Sequence, residues 1–286
     1  MWHFISEKIS DCIHHDFICD DIREVSGGDS HRAFKISDGR KRFFVKIDDQ
    51  SSQSHFEAEA RSLALLQQAA DVKIPKVICS GIANENSYLV LEHLSLSDGE
   101  STDWYEMGKQ LAKLHLHTEQ HYGCHFNNYI GRTVQVNPWT DDWAGFFSDF
   151  RIAKLLQLMA SQGIHFVDID KAREQIYTLL KGYQPKASLL HGDLWRGNVA
   201  FFKHAPVIFD PASYFGDRET DLAMSELFGT FPKPFYQGYE AVWPLPEGYQ
   251  QRKPIYQLYH ILNHALMFGG HYVDSAKATL KQIQKH

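Results

Sequence analysis

Apolar residues in the first part of the chain recur first with the spacing of a helix and then with that of strands. Over 2–18 they are separated by three or four positions, which predicts an amphipathic helix. Shorter apolar runs follow, and Asp38-Gly39 between two of them is typical of a tight hairpin turn. The predicted strands cover 22–25, 33–36, 43–47, 77–80 and 88–91. A helix predicted over 54–68 lies between the third and fourth of them.

After Leu94 the pattern becomes mainly helical. Helical spacing predicts helices near 103–118, 140–161, 168–181, 217–229, 247–268 and 274–285, with a strand pair at 199–202 and 207–209. We therefore predict an α+β fold with two lobes. Residues 1–94 would form a small antiparallel-sheet lobe with one helix, and residues 95–286 a larger, mainly helical lobe.

Composition narrows the class of protein. The 286 residues carry a net charge of −6, which argues against nucleic-acid binding by bulk charge, because that needs a clustered basic surface. No apolar run approaches the roughly 20 residues that span a bilayer, and the first residues lack the apolar stretch of a secretory signal. Four cysteines without a CxxC spacing indicate a reducing compartment, so we expect a cytoplasmic protein that contacts no membrane.

The most informative segment runs from Leu190 to Asn198. It has the H-x-D-x-x-x-x-N spacing of a phosphotransferase catalytic loop, and a second acidic residue, Asp210, follows the next predicted strand pair. Phosphoryl transfer needs an acceptor hydroxyl held in line and Mg²⁺ to neutralise developing charge. Asp193 is the candidate base for the hydroxyl proton. Asn198 and Asp210 are candidate Mg²⁺ ligands, because this cation prefers oxygen donors.

The sheet region supplies candidate ATP contacts. Lys46 is a charged residue in an apolar strand, and Glu59 on the following helix is its candidate partner. Glu57 lies about 200° around the helix from Glu59, so only one of the two can face the strand, and we choose Glu59. Gly27-Gly28 forms a turn that can lie over phosphates without Cβ obstruction. Glu92-His93-Leu94 fits a hinge whose backbone meets an adenine.

Taken in order, these and other segments make the chain similar to the fructosamine kinase (ketosamine-3-kinase) family, within the aminoglycoside-phosphotransferase and protein-kinase-like fold. The family-like blocks are GGD at 27–29, FEAEARSLALL at 56–66, LVLEHL at 89–94, QLAKLH at 110–115, NNYIGRTVQVN at 127–137, HGDLWRGN at 191–198, FDPASYFGDRETDLAMSELFG at 209–229 and YQLYHILNH at 256–264. The resemblance implies ATP-dependent phosphorylation of a sugar hydroxyl on ribulosamine- or fructosamine-type adducts. The unstable product then falls apart, which undoes glycation.

The resemblance also assigns roles to individual residues. It implies that Asp221 braces the catalytic loop, that Trp195 forms a wall of the acceptor pocket and that His264 approaches the sugar. A core tryptophan and a core histidine are the alternatives for these last two. Substrates would be small-molecule or protein-bound ketosamines, and the oligomeric state is left open with a monomer favoured. Some relatives carry a cysteine in the glycine turn that permits a redox-linked dimer, but Asp29 and Ser30 occupy that region here.

Three other functions compete with this interpretation. A related kinase of the aminoglycoside or choline kinase type could phosphorylate another hydroxyl. A catalytically inactive pseudokinase is disfavoured, because every ATP-handling position is intact. A structural metal site is conceivable because His117, His121 and His125 recur every four residues, but Gly123 should end that helix near residue 122, so a polar helix face is the default expectation.

Overall fold

The computed structural model describes residues 1–25, 31–69 and 71–284. Its first region contains a five-stranded antiparallel sheet with the strand order β1-β2-β3-β5-β4. The strands are β1 (Asp21–Val25), β2 (Arg32–Ser37), β3 (Arg42–Asp49), β4 (Val77–Ala83) and β5 (Asn86–Glu92). Each predicted strand of this region is present, and each is extended by one to three residues.

The alternation of side chains along β3 and β5 explains why a lysine is tolerated in the middle of the sheet. Val45 and Ile47 of β3 and Val90 of β5 are buried in a small apolar cluster on one face. Leu89, which pairs with Lys46 in the ladder, belongs to a separate, larger cluster on the opposite face. Lys46 therefore points away from the small cluster, because successive residues of a strand face opposite sides.

Both helices predicted for this region, over 2–18 and 54–68, accompany the sheet. Helix α1 (Trp2–Ile13) packs its buried Ile5 and Ile9 into the small cluster, and α2 (Gln53–Ala69) lies against the opposite face. Helix α1 is shorter than predicted, because His14 adopts a left-handed conformation with φ 52° and ends it. Phe17 is buried as the pattern implied, but it packs edge-on against Phe43 from the loop that follows the helix.

The remainder of the chain is mainly helical. Its helices are α3 (Ser101–His115), α4 (Trp143–Phe147), α5 (Lys154–Ser161), α6 (Ile169–Leu180), α7 (Glu219–Ser225), α8 (Lys233–Val242), α9 (Tyr249–Phe268) and α10 (His271–Ile283). Short strands complete it: β6 (Thr118–Glu119), β7 (Asn128–Ile130), β8 (Thr133–Gln135), β9 (Ala187–Leu189), β10 (Val199–Phe202), β11 (Ala205–Ile208) and β12 (Phe215–Gly216).

Besides the short strands β6 to β9 and β12, which were not predicted, two features of this region depart from the predicted elements. The helix predicted over 140–161 is interrupted by a π-helical segment, Ser148–Ala153, which holds a fully buried Arg151. Helix α8 was not predicted. It lies so close to α3 that a Cβ at Gly108 would collide with the Phe235 carbonyl, and a Cβ at Gly238 with the Tyr105 carbonyl. Glycine at both positions lets the two helix backbones meet.

The larger apolar cluster joins the sheet region to the helical region. Phe56 and Leu63 of α2 and Leu89 of β5 belong to the same cluster as Trp104 and Leu111 of α3. The two regions thus share a continuous core, which fixes α2 and β5 relative to α3. None of the helices in the described ranges combines the length and the apolar character needed to cross a bilayer.

Candidate active site

The segment from Leu190 to Asn198 links β9 to β10, and His191 anchors it in the interior. His191 is fully buried, and the backbone N–H of Asp193 donates to its Nδ1 at 3.2 Å. Its Nε2 therefore carries the hydrogen and donates to the Phe209 carbonyl at 2.9 Å. Burial lowers the pKa of His191, which keeps the ring neutral. The ring thus ties the loop to the residue that precedes Asp210.

A second buried group holds the same loop from behind. The backbone N–H groups of His191 and Gly192 donate to the two carboxylate oxygens of Asp221, at 2.7 and 2.9 Å. Gly192 has φ +86°, and a Cβ there would collide with the Ala212 carbonyl, so glycine is required. His115 contacts Asp221 at 3.1 Å and Tyr239 at 2.8 Å. These contacts place Asp221 where the resemblance put it, behind the loop.

Asp193 faces the opening between the two regions with a side chain that is 19% exposed. Asn198 Nδ2 donates to the backbone carbonyl of Asp193 at 2.9 Å and to its Oδ2 at 3.3 Å. Burial, together with the charges of Asp210 and Asp221, raises the pKa of Asp193 to about 7. Such a carboxyl can accept a proton near neutral pH. Because its amide nitrogen faces Asp193, Asn198 turns its amide oxygen elsewhere.

On the other side of the opening, Lys46 bridges two carboxylates. Its Nζ lies 2.6 Å from Glu59 Oε1 and 2.6 Å from Asp210 Oδ1, and its side chain is 3% exposed. Burial alone would lower the pKa of Lys46, but the two carboxylates raise it above its ordinary value. Glu57 is exposed and bonds to Gln53, so α2 turns Glu59 toward the strand, as expected from the helix geometry.

Asp210 follows β11 in an uncommon backbone conformation, with φ +55°. This conformation aims its carboxylate at Lys46. Burial opposes ionisation, but the positive charge of Lys46 holds the pKa of Asp210 below its ordinary value. The pKa of Asp193 is therefore raised and the pKa of Asp210 is lowered.

One cleft of about 1200 Å³ brings these groups together. Its lining includes these sequence-predicted residues: Lys46, Glu59, Asp193, Trp195, Asn198, Asp210 and His264. Gly27 and Gly28 lie outside the described residues. The structure describes the three predicted hinge residues, Glu92, His93 and Leu94, but none of them lines this cleft. Glu92 ends β5, its backbone N–H bonds to the Lys76 carbonyl at 2.8 Å, and its carboxylate lies 3.2 Å from Lys73 Nζ.

Trp195 and His264 border the cleft from different elements. Trp195 follows Asp193 in the catalytic loop and is 38% exposed. His264 lies on α9, with its ring 4.3 Å from that of Phe228, centroid to centroid. Its Nδ1 donates to the His260 carbonyl of the preceding turn at 2.9 Å, which leaves Nε2 as the ring nitrogen not used within the helix.

Sequence reasoning missed a buried network of amides beside the cleft. Asn128 donates to the Ser213 carbonyl at 2.8 Å, and Gln135 to the Ala212 carbonyl at 3.0 Å. These bonds attach the β7–β8 hairpin to the segment just after Asp210. The sequence signal for this network was the group of Asn and Gln residues in the NNYIGRTVQVN block, because buried amide side chains need hydrogen-bond partners.

The histidines considered as metal ligands do not share a helix. Helix α3 ends at His115, so His117, His121 and His125 follow it in loops. His121 is paired with Asp141 instead. Across the described ranges, no group of three or more His, Cys, Asp or Glu residues is placed to hold a metal ion. The expectation of a polar helix face was wrong, because the helix stops too early.

Comparison with known proteins decides the family. The fructosamine kinase family model matches residues 1–286. The chain belongs to the fructosamine kinase family. It is 45% identical over 287 residues, 99% of both chains, to a protein of Vibrio parahaemolyticus named "Probable ketoamine kinase".

Solved structures agree with this membership. A protein of Haemophilus somnus named "Putative fructosamine-3-kinase" matches with a TM-score of 0.94 and 34% identity, covering 99% of this chain and 97% of that one. An aminoglycoside phosphotransferase, APH(4)-Ia, in complex with ADP and hygromycin B matches with a TM-score of 0.65 and 15% identity, covering 100% and 98%. The fold is therefore the protein-kinase-like α+β fold. This member of the fructosamine kinase family is an ATP-dependent phosphotransferase that acts on sugar-amine compounds.

Proposed function

We propose that this protein phosphorylates a sugar hydroxyl of ribulosamine- or fructosamine-type ketosamines, and that breakdown of the phosphorylated product removes the adduct. The observation that carries this proposal is the cleft that unites Asp193, Asn198, Lys46 and Asp210 and continues past Trp195 and His264. Phosphoryl transfer depends mainly on positioning and charge stabilisation, and these residues supply both.

Asp193 is the proposed base. Its pKa of about 7 lets it take the proton of the acceptor hydroxyl near neutral pH. The hydroxyl oxygen attacks the γ-phosphorus of ATP, the bond from that phosphorus to the β–γ bridging oxygen breaks, and ADP leaves with that oxygen. His191 and Asp221 hold the loop that carries it. The base therefore sits on backbone fixed from two sides before any substrate enters.

Asn198 and Asp210 are the proposed Mg²⁺ ligands, and their chemistry fits this cation. Asp210 is kept anionic by Lys46, and Asn198 presents its amide oxygen because its nitrogen is occupied by Asp193. One carboxylate with one neutral oxygen is a typical protein contribution to a Mg²⁺ site shared with phosphates. When bound, Mg²⁺ neutralises charge on the phosphate oxygens. Lys46, held by Glu59, is the proposed contact to the α- and β-phosphates.

The remaining parts of the nucleotide site are proposed from the sequence and its family resemblance. We assign residues 1–94 to the nucleotide-binding lobe and 95–286 to the catalytic and substrate-binding lobe. Gly27 and Gly28 would cover the phosphates, and the backbone of Glu92, His93 and Leu94 would contact the adenine. Trp195 and His264 are the proposed walls of the sugar pocket, because they border the cleft on the side of the base.

The experiment is a panel of acceptors. ADP release from Mg·ATP is measured with ribulosyl-lysine, fructosyl-lysine, hygromycin B and no acceptor, with calorimetric binding of Mg·ATP in parallel. We expect stimulation by at least one ketosamine and none by hygromycin B. Stimulation by hygromycin B alone would overturn the proposed substrate class. The same panel with glycated peptides in place of free lysine adducts tests whether protein-bound adducts are accepted.

A further inference from the structure

His260 is a buried histidine beside the catalytic loop that the reaction described above does not use. It lies on α9, its side chain is 6% exposed, and its Nδ1 is 3.8 Å from Oδ1 of Asp193. That nitrogen is inaccessible to solvent and has no hydrogen-bond partner among the described residues. Buried polar atoms nearly always have a partner, so an unpaired nitrogen aimed at the base calls for an explanation.

The charge state of His260 follows from its surroundings. Burial lowers its pKa to about 3, and His264 and Arg151 act in the same direction, while Asp221 opposes them. The ring is therefore neutral, with hydrogen on one nitrogen only. Facing a carboxylate, Nδ1 is favoured as the protonated nitrogen, because a lone pair there would repel the oxygen. The distance of 3.8 Å exceeds a hydrogen bond by less than 1 Å.

The two oxygens of Asp193 are thus flanked by different donors. Asn198 approaches Oδ2 at 3.3 Å from within the loop, and His260 faces Oδ1 from α9. Two donors on opposite sides fix the rotation of a carboxylate about its Cβ–Cγ bond, whereas one donor leaves it free to turn. The orientation of the base decides whether it meets the acceptor hydroxyl in line.

We propose that His260 is a positioning residue for Asp193, and that its Nδ1–H closes onto Oδ1 when the acceptor hydroxyl occupies the cleft. The inference rests on the proposed function, since it requires Asp193 to be the base. It assigns to α9 a part in orienting the base, in addition to its place in the core.

The first test compares variants at one position. His260→Phe keeps a ring of similar size and removes the donor, whereas His260→Asn places an amide nitrogen at the same number of bonds from the backbone as Nδ1. We expect kcat with a ketosamine to fall by about 10- to 100-fold in His260→Phe, with the KM for ATP unchanged, and to recover most of that loss in His260→Asn. A merely structural role predicts no recovery by the smaller side chain.

Two further variants separate the possible failures. Ile261→Ala alters the neighbouring buried residue of α9 and should lower Tm without changing kcat more than about twofold. In the Asp193→Asn background, His260→Phe should cause no further loss, because it acts through that carboxylate. If Asp193→Asn itself retains turnover, the proposed function fails. If Asp193→Asn loses turnover and a folded His260→Phe does not, only the role of His260 is overturned.

A spectroscopic measurement on the unmodified chain is independent of how the variants fold. In ¹⁵N-histidine-labelled protein, the ring signals missing from His260→Asn identify His260. We expect a neutral ring protonated on Nδ1. A ring protonated on Nε2, with the Nδ1 lone pair facing Asp193, would overturn the proposal.

Discussion

The two aspartates of the cleft are held in different ways. Asp193 has a neutral amide as its hydrogen-bond partner, and burial together with two neighbouring carboxylates raises its pKa to about 7. Asp210, which follows β11, touches the buried ammonium of Lys46 on the sheet, and that positive charge lowers its pKa. The same side chain is thus prepared to exchange a proton at one position and to remain charged at the other. Neighbouring charge decides the role that each can play.

The largest expected effect is that of Asp210→Asn. Loss of the permanent negative charge should weaken Mg²⁺-dependent nucleotide binding and reduce turnover by about 10³-fold or more, because a catalytic metal supplies several kcal/mol of charge stabilisation. Calorimetric titration of ATP with and without Mg²⁺, together with ADP release, measures both. Nucleotide binding that depends on Mg²⁺ as in the parent protein would contradict this assignment.

Lys46→Met should cost about 3 kcal/mol of unfolding free energy, because it leaves Glu59 and Asp210 facing each other without their common cation. Urea denaturation measures the loss. The matched pair Glu59→Gln and Glu57→Gln tests the specificity of the contact, since only Glu59 touches the lysine. The exposed Glu57→Gln change should stay within about 0.5 kcal/mol, and equal effects of the two would be inconsistent with the bridge.

Asp221→Asn should lower the free energy of unfolding by about 2 kcal/mol. Two backbone N–H groups of the catalytic loop now donate to the two carboxylate oxygens of Asp221, and an amide would offer only one acceptor oxygen. Activity should fall with it, since Asp193 follows these two residues. Denaturation and kcat are measured on the same preparation, with the exposed Asp11→Asn as control. A loss no greater than that of the control would remove Asp221 from the account.

The smallest effect concerns acid stability. Burial lowers the pKa values of His115, His191 and His260, so the unfolded chain binds more protons than the folded one below pH about 6.5. The stability that these three neutral rings contribute is fully present above pH about 6.5 and is lost as the pH falls. His260→Phe should therefore lose about 1 kcal/mol less between pH 6.5 and 5.5 than the parent protein. Urea denaturation at the two pH values tests this. If the variant and the parent protein lose the same free energy of unfolding, His260 is not a buried neutral ring.

Much of the arrangement could be predicted from local patterns. The helix angle between Glu57 and Glu59 predicts that only one of the two carboxylates faces the strand, and the structure shows that Glu59 is the one that reaches Lys46. The spacing from His191 to Asn198 predicts a loop, and the structure places that loop against the cleft. These features depend on residues close together in the chain, so periodicity and spacing report them.

The supporting contacts could not be predicted in the same way. His115 meets Asp221 and Tyr239 across separations of 106 and 124 residues. Strands such as β6, with two residues, and β9, with three, exist because a partner pairs with them, and they are too short to show alternation. The close packing of α8 on α3 at Gly108 and Gly238 likewise joins residues far apart in the chain, so no local pattern reports it.

The most direct test of the difference between the two aspartates is to assay Asp193→Asn for two properties at once. The account predicts that the variant binds Mg·ATP as the parent protein does and loses ketosamine-dependent ADP release by about 10²- to 10⁴-fold, the usual contribution of a general base. Near-normal ADP release would contradict the assignment of Asp193 as the base, and so would a loss of Mg·ATP binding equal to that of Asp210→Asn.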